Sequence, residues 1–411
     1  MIETIILYLL SFLLIWQFGG YQLLMATVAS VAKPNEKITS RFPFVSIIVA
    51  AYNEEKDIQN RINNLLELDY PKENYEVIVV ESGSTDSTYS IVKKIIESRK
   101  DEKYPNILLL TEEKRNGKGS AINFGQKNAR GEIIVSTDAN TVFEKTLLKK
   151  IVPHFEDKSV GGVSGRYIVS DSNNDISFSE SFRWELESLM RSGESVFGSV
   201  CALHGEMAAW RKGTVEADTR MILEDLDMAV QLKKKGYKIE YEPKAIYFEP
   251  AAGNHGDYLI QKKKIITGRI QCFLHHIGYF LLPLDIYRIL VFPSRRTLSI
   301  FSPFLFLLYP LLWIIIANPV TIVINLLVTM LCFAGIMSTL MLFKPKKVGK
   351  TQKTIGKKIH VLKYPSSLIK IASHVIFIEF IILFGWKDYL SGNYSVLWEK
   401  AQSTRNKSTR I

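Results

Sequence analysis

Three short acidic clusters, each just past a run of apolar residues, carry most of the chemistry this chain could do. Val45-Ser46-Ile47-Ile48-Val49-Ala50-Ala51 leads into Tyr52-Asn53-Glu54-Glu55. Glu76-Val77-Ile78-Val79-Val80 leads into Glu81-Ser82-Gly83-Ser84-Thr85-Asp86. Glu132-Ile133-Ile134-Val135-Ser136-Thr137 leads into Asp138-Ala139-Asn140. If the apolar runs are neighbouring parallel strands, all three clusters fall on the ligand-binding edge of one sheet. Hard oxygen donors grouped there suit a divalent metal holding a phosphorylated ligand.

Each cluster also has a plainer reading. Asp138 and Asn140, two residues apart, can turn two oxygen ligands toward one ion, or Asp138 can close an Asx turn. Asp86 can cap the helix that follows it, as Ser84 or Thr85 can, and Asn53 can be a turn residue. Lys114-Arg115-Asn116-Gly117-Lys118-Gly119-Ser120 is not a P-loop, because Glu112 stands where the first glycine belongs and a glycine follows Lys118. It remains a basic, glycine-containing helix start suited to an anion. Further on, Glu224 and Asp225 open a helix, where its dipole favours acids. Transfer onto a hydroxyl also needs a base within reach of the attacking oxygen, and Asp225 is the candidate.

The elements that must position these residues follow from periodicity. Strands are expected at 45–51, 76–80, 106–110, 132–137 and 160–169, and helices at 56–68, 84–99, 118–129 and 144–156. Such alternation predicts a parallel α/β sheet with helices on both faces. An amphipathic helix is expected over 175–196, with Phe178, Phe182, Leu186 and Leu189 near one face. Another is expected over 224–235, stopped by Gly236.

The 411 residues are 47 % hydrophobic, unevenly spread. Residues 4–30 form an apolar run long enough to cross a bilayer. Its acidic start, Met1-Ile2-Glu3, argues for a retained anchor rather than a signal peptide. The expected organisation is an anchor over 1–32, a cytoplasmic α/β domain over 41–257 and interfacial amphipathic helices over 258–298. Two spans over 299–343, a basic cytoplasmic loop over 344–367, a last span over 368–386 and a polar tail over 387–411 complete it. Counting crossings puts that tail outside. The net charge of +11 gathers beside the apolar runs, at Lys262-Lys263-Lys264, Arg295-Arg296 and Lys344 to Lys358. That pattern fits a multi-pass cell-membrane protein facing anionic lipid and not a nucleic-acid binder. Cys201, Cys272 and Cys332 form no disulfide framework.

The order Tyr52-Asn53-Glu54-Glu55, Ser84-Thr85-Asp86, Gly117-Lys118, Asp138-Ala139-Asn140, Gly165-Arg166 and Glu224-Asp225 resembles the family 2 inverting glycosyltransferases over about residues 43–270. Within that family the chain looks like the membrane-integrated branch of cellulose, hyaluronan and poly-N-acetylglucosamine synthases. The resemblance implies a GT-A, Rossmann-like domain set between transmembrane helices. It implies a nucleotide-diphosphate sugar donor, most simply a UDP-sugar, and a Mg²⁺ or Mn²⁺ ion. Ala51, Tyr52, Asn53, Glu54, Glu81, Asp86, Lys118, Asp138, Gly165, Arg166, Gln261 and Lys264 would form the donor side, with Asp138 and Asn140 on the metal. His204, Gly205 and Glu206 would form the acceptor side. Asp225, beside Glu224, would deprotonate the hydroxyl of a lipid-linked or glycan acceptor. An oligomer is compatible with the small number of spans.

Two departures stand out. Ser82 occupies a position where the family often carries an acid on the nucleotide base. Gln261-Lys262-Lys263-Lys264-Ile265 replaces Q-x-x-R-W, and the missing tryptophan weakens the case for chain extension. The alternatives are a non-catalytic, nucleotide- or glycan-sensing relative of the same fold, and a transporter, for which 299–343 lacks ionisable groups.

Overall fold

The apolar runs form the strands they predict. β1 (Val45–Ala51) pairs in parallel with β2 (Tyr75–Ser82) on one side and β4 (Ile133–Asp138) on the other. β3 (Asn106–Glu112) lies beyond β2, also parallel. β1 and β2 are buried almost throughout, because the sheet is covered on both faces. Alternation sorts their side chains: Ile47, Val49, Val77 and Val79 enter one core, and Ile48, Ile78 and Val80 the other. The computed structural model describes residues 2–32, 37–99, 105–170, 175–250, 254–282, 284–316, 323, 327 and 365–397.

The sheet is larger than expected, and mixed. It has eight strands in the order β3-β2-β1-β4-β7-β6-β8-β5. β7 (Met207–Arg211) runs antiparallel to both β4 and β6 (Val160–Val169), β8 (Lys238–Glu249) is parallel to β6, and β5 (Val142–Phe143) is antiparallel to β8. This corrects the all-parallel expectation. β7 is only five residues long, and β8 carries Glu240, Glu242 and Pro243, which hide its alternation.

Helices α2 (Ile58–Leu66), α3 (Thr88–Ser98) and α4 (Lys118–Asn128) link the parallel strands. The helix expected over 144–156 shrinks to α5 (Leu147–Ile151) and a 3₁₀ turn carrying Pro153, with β5 ahead of it. α6 spans Asp175–Val196 and α7 Glu224–Lys234. Past α7, Gly236 takes the left-handed φ of +82° that glycine accepts most readily.

Among the described residues, two helices are long and apolar enough to cross a membrane: α1 (Ile2–Val31) and α10 (Tyr287–Ile315). α1 contains a π-helical turn at Trp16–Gly20. It packs on α6 where Gly193 faces Met25, so closely that a Cβ on Gly193 would lie 2.3 Å from the Met25 carbonyl oxygen. The expected interfacial segment resolves into α8 (His255–His275), the short α9 (Ile277–Phe280) and the start of α10. α11 (Pro365–Leu390) packs on α8 through Gly385 and Ile266, and Lys263 pairs with Asp388 at 2.7 Å. Trp386 Nε1 donates to the Ile300 carbonyl at 2.7 Å, and Ser302 donates to Glu379 at 2.8 Å. These contacts fix α11 antiparallel to α10 and return its C-terminal end to the α/β domain. The Leu397 carbonyl accepts from Lys264 Nζ at 2.6 Å, and its side chain lies beside Gly117. Residues 391–397 thus lie beside the α/β domain. The expected span at 319–343, apart from Val323 and Leu327, lies outside the described residues, as do the basic loop up to residue 364 and the tail from 398.

Candidate active site

The loops after β1 and β2 are bound to each other before they meet any ligand. Asn53, at a positive φ of 53°, accepts from the Thr85 backbone at 2.8 Å. Its own N–H donates to Ser84 Oγ at 2.9 Å, and the Glu54 N–H donates to Thr88 Oγ1 at 2.7 Å. Asparagine is among the few residues that tolerate that φ. Asp86 accepts from the Glu55 and Thr88 backbones, the latter the first residue of α3 whose N-cap is Ser87, and with Asn53, Glu54 and Glu55 it lines a small pocket. Arg115 stacks over the Tyr52 ring at 4.1 Å, tying in the loop after β3. Glu81 accepts from the Ser84 N–H, and Ser82 donates to Glu112 at 2.6 Å.

Asp138 ends β4, and Lys118 from the first turn of α4 pairs with it. The same ammonium donates to the Gly205 carbonyl at 2.9 Å and lies 3.7 Å from Glu224. So the lysine expected to meet an anion gathers Asp138, the 204–207 turn and the start of α7 around itself. Burial acts to lower its pKa, and the facing Asp138 and Glu224 more than reverse that, so it stays charged. Asp225 accepts from the Leu226 N–H at 2.8 Å. A Cβ on Gly205 would lie 3.7 Å from Asp225 Oδ2. Burial raises the Asp225 pKa, against the pull of Lys118. Burial likewise lifts Glu224 to about 7, with Lys118 opposing, and lifts Glu206 to about 7, with Asp138 adding to the effect.

Asn140 donates its amide to Glu249 at 2.7 Å. Glu249 ends β8 and was not legible as a site residue. Burial pushes its carboxyl well above the ordinary range, and Glu206 and Asp138 push further. Arg61 was also missed. It is buried in α2, donates to Thr137 Oγ1 at 2.7 Å and lies over the Phe143 ring at 4.0 Å. Burial drops its pKa to about 9, against Asp138 and Glu249. A basic residue on the helix face of Ile58, Ile62 and Leu65 was the available signal.

Five carboxylates (Asp138, Glu206, Glu224, Asp225 and Glu249) thus interact around two cations, Lys118 and Arg61. Such a gathering of acids, several with raised pKa values for want of positive charge, could take a divalent ion, with Asp138 and Asn140 offering oxygens of the hard type it prefers. A second group, Asp227, Cys272 and His276, has ligand atoms within 4.8 Å of one another. There His276 pairs with Asp227 at 2.7 Å and with Lys234 at 2.8 Å, and Gln231 donates to Asp227 at 2.7 Å. Those bonds account for the buried Asp227 and His276 without an ion.

On the remaining side His204 is buried, with Nδ1 at 2.7 Å from the Tyr247 hydroxyl and its ring edge-on to Trp184. Burial and then Arg191 push its pKa well down, so it is neutral. Gly165 N–H meets Met207 Sδ, and Arg166 is held by Glu185 at 2.7 Å. Lys264 reaches Leu397, as described, and Gln261 lies one turn before it on α8.

Known proteins share the fold and part of the sequence. The chain is 26 % identical over 208 residues to the poly-beta-1,6-N-acetyl-D-glucosamine synthase of Staphylococcus aureus, a stretch covering 49 % of this chain and 48 % of that protein. The Staphylococcus epidermidis enzyme of the same name matches to the same extent. The chain therefore spans about half the length of the curated relatives it matches. A mannosyltransferase of Pyrobaculum calidifontis, solved with GDP-Man and Mn²⁺, has the same fold, with a TM-score of 0.65 and 21 % identity over 94 % of this chain and all of that one. The Glycosyl transferase family 2 model matches residues 46–216, and the Glycosyl transferase family group 2 model matches residues 133–343. The second match takes in just over half of the chain, and the two together include Asp138, Glu206, Glu224, Asp225 and Glu249; the chain belongs to glycosyl transferase family group 2.

Proposed function

We propose that this glycosyltransferase moves a sugar, with inversion, from a nucleotide-diphosphate donor to a hydroxyl of a lipid-linked or glycan acceptor at the membrane. The observation that carries the reading is the position of Asp225. It opens α7 beside the Lys118–Asp138 pair and the Gly205 backbone, so the base, the donor-side acid and the acceptor-side turn share one ammonium. Asp225 takes the proton from the acceptor hydroxyl, a form of help typically worth about 10²–10⁴-fold. Its burial-raised pKa makes it a stronger base than an exposed aspartate while leaving it ionised once the pH exceeds that value. Glu224, at about 7, stays partly protonated near neutrality and limits charge repulsion beside it.

Asp138, helped by Asn140, would hold Mg²⁺ or Mn²⁺. When bound, such an ion offsets the charge that develops on the leaving diphosphate. The bound loops at Asn53, Glu54 and Asp86 present the nucleotide side, and His204 with Trp184 walls the acceptor side. Two apolar helices support attachment to the cell membrane, multi-pass, with the α/β domain cytoplasmic. The names of the staphylococcal relatives favour an N-acetylglucosamine donor, whereas the Pyrobaculum structure held GDP-Man.

Calorimetry on the detergent-purified chain, titrating UDP and then GDP with and without Mn²⁺, tests the donor site. Metal-dependent binding of one nucleotide is expected, and binding of neither by folded protein would overturn the reading. Asp138→Ala should abolish the metal dependence of that binding. Asp225→Asn should keep binding within about twofold while transfer falls about 10²–10⁴-fold; equal loss of both would remove Asp225 as the base.

A further inference from the structure

A second charged cluster lies between the active site and the apolar helices, and the mechanism above does not use it. Arg183, Arg191, Lys262, Arg269, Arg295 and Arg296 come together from α6, α8 and the start of α10, with Glu180, Glu187 and Glu194 among them. Six cations against three carboxylates leave an excess of positive charge in a largely buried place.

The carboxylates are already committed. Glu180 takes Arg183 at 2.6 Å and Lys262 at 3.1 Å. Glu187 takes Arg191 at 3.1 Å and also Arg295, which lies 2.8 Å from Glu194 as well. Glu194 further accepts from the Tyr21 hydroxyl of α1 at 2.9 Å. Arg269 and Arg296 are left over: among the described residues neither guanidinium has a hydrogen bond or ion pair, and the Nε of Arg296 is buried without a partner. The two repel each other, and burial followed by Arg296 drops Arg269 to about 9. Both residues are half-buried, and a cation held partly out of water with no counter-charge is costly, so a fold that keeps two of them near each other has a use for an anion.

Position says which anion. Arg296 is close enough to act on both Asp225 and His204. It also stands where α10 becomes the apolar helix that can cross a membrane. Leu281, Leu282, Leu284, Ile286 and Ile289 expose their side chains just before it. A phosphate that reaches Arg296 with an apolar tail finds hydrophobic surface for that tail.

We propose that Arg269 and Arg296 bind the phosphate of a lipid-linked sugar acceptor, holding its sugar hydroxyl toward Asp225. The inference rests on the reading of Asp225 as the base, and it commits the acceptor to a phosphate-bearing lipid rather than a free glycan. Guanidinium groups suit this because they bind phosphate through paired, charge-assisted hydrogen bonds.

The test uses the full chain in neutral detergent, with dodecyl phosphate as probe and tryptophan fluorescence or thermophoresis as readout. Saturable binding is expected, weakened about tenfold or more in both Arg269→Gln and Arg296→Gln. UDP or GDP binding with Mn²⁺, measured on the same samples, should not change. That control separates the two readings: loss of nucleotide binding by the parent sinks the proposed function, while intact nucleotide binding without dodecyl phosphate binding sinks the acceptor site alone. Equally tight binding of inorganic phosphate or of dodecanol would overturn the lipid-phosphate assignment. So would equal competition by dioleoyl phosphatidylglycerol, which would mark the cluster as a bulk-lipid contact. Because the guanidinium is uncompensated, Arg269→Gln should melt no lower than the parent; a markedly lower melting temperature in both Arg269→Gln and Arg296→Gln would overturn the assignment, and if only Arg269→Gln unfolds, Arg296→Gln carries the binding test.

Discussion

Replacing Glu224 by glutamine measures directly what burial does to the active-site acids. Glu224 is 5 % exposed, and its carboxyl titrates near 7 in the folded chain against an ordinary 4.5. Between these two values the folded protein holds a proton that the unfolded chain has released. Stability therefore falls as pH rises from about 4.5 to about 7, and this contribution is level above that. A shift of this size is worth about 3 kcal/mol at about 1.4 kcal/mol per pKa unit. Glutamine resembles the protonated acid and does not titrate, so the variant lacks the slope. Glu224→Gln should match the parent to within about 1 kcal/mol at pH 5 and exceed it by about 3 kcal/mol at pH 8. Lys118 loses little, because Asp138 and the Gly205 carbonyl still hold it. The assay is paired thermal unfolding of the two full-length proteins in detergent across pH 5–8, in EDTA so that no bound ion favours the charged acids. Other titrating groups are common to both proteins and cancel in the difference. A melting difference that stays constant with pH, or a variant that is less stable at pH 8, would show that the Lys118 ion pair outweighs desolvation and would refute the reasoning.

Three further outcomes are expected. Gly193→Ala sets a Cβ against the Met25 backbone, which cannot swing aside as a side chain can; it should cost about 1–3 kcal/mol, read as a lower melting temperature, and should loosen the Tyr21–Glu194 contact. Glu249→Gln removes the carboxylate raised furthest by burial and by its acidic neighbours; it should stabilise the metal-free protein at pH 8 and leave it unchanged at low pH, checked by the same melts. Ile265 stands where chain-extending relatives would place a stacking tryptophan, so transfer products should be short, one or a few added sugars by mass spectrometry, and long polymer would contradict this.

The acids that could be read from the sequence were those tied to a local signal. Asp138 and Asn140 follow a β-branched run, and Glu224 and Asp225 open a helix that glycine closes, so strand and helix rules located them. Glu249 and Arg61 had no such mark. Glu249 ends a strand whose inner residues alternate with Lys238, Glu240, Glu242 and Lys244, and only pairing with β6 makes that segment a strand at all. Its pairing with Asn140 then follows from β5 crossing to the far edge of the sheet, a choice of partner made in three dimensions. The basic runs were legible only in part, for a related reason. Charge counted along the chain marks Lys262 to Lys264 and Arg295-Arg296 as a basic stretch beside apolar runs, but not their partners: Lys262 pairs with Glu180, Lys263 with Asp388, Lys264 with the Leu397 carbonyl and Arg295 with Glu187 and Glu194. The positive-inside tendency describes how a chain is oriented as it inserts. It does not say which cations the folded protein then buries against acids from α6. Sorting them by partner is what isolates Arg269 and Arg296, and the same sorting turns α11 back toward the α/β domain, so that a basic pattern first read as membrane contact becomes the join between acceptor site and membrane.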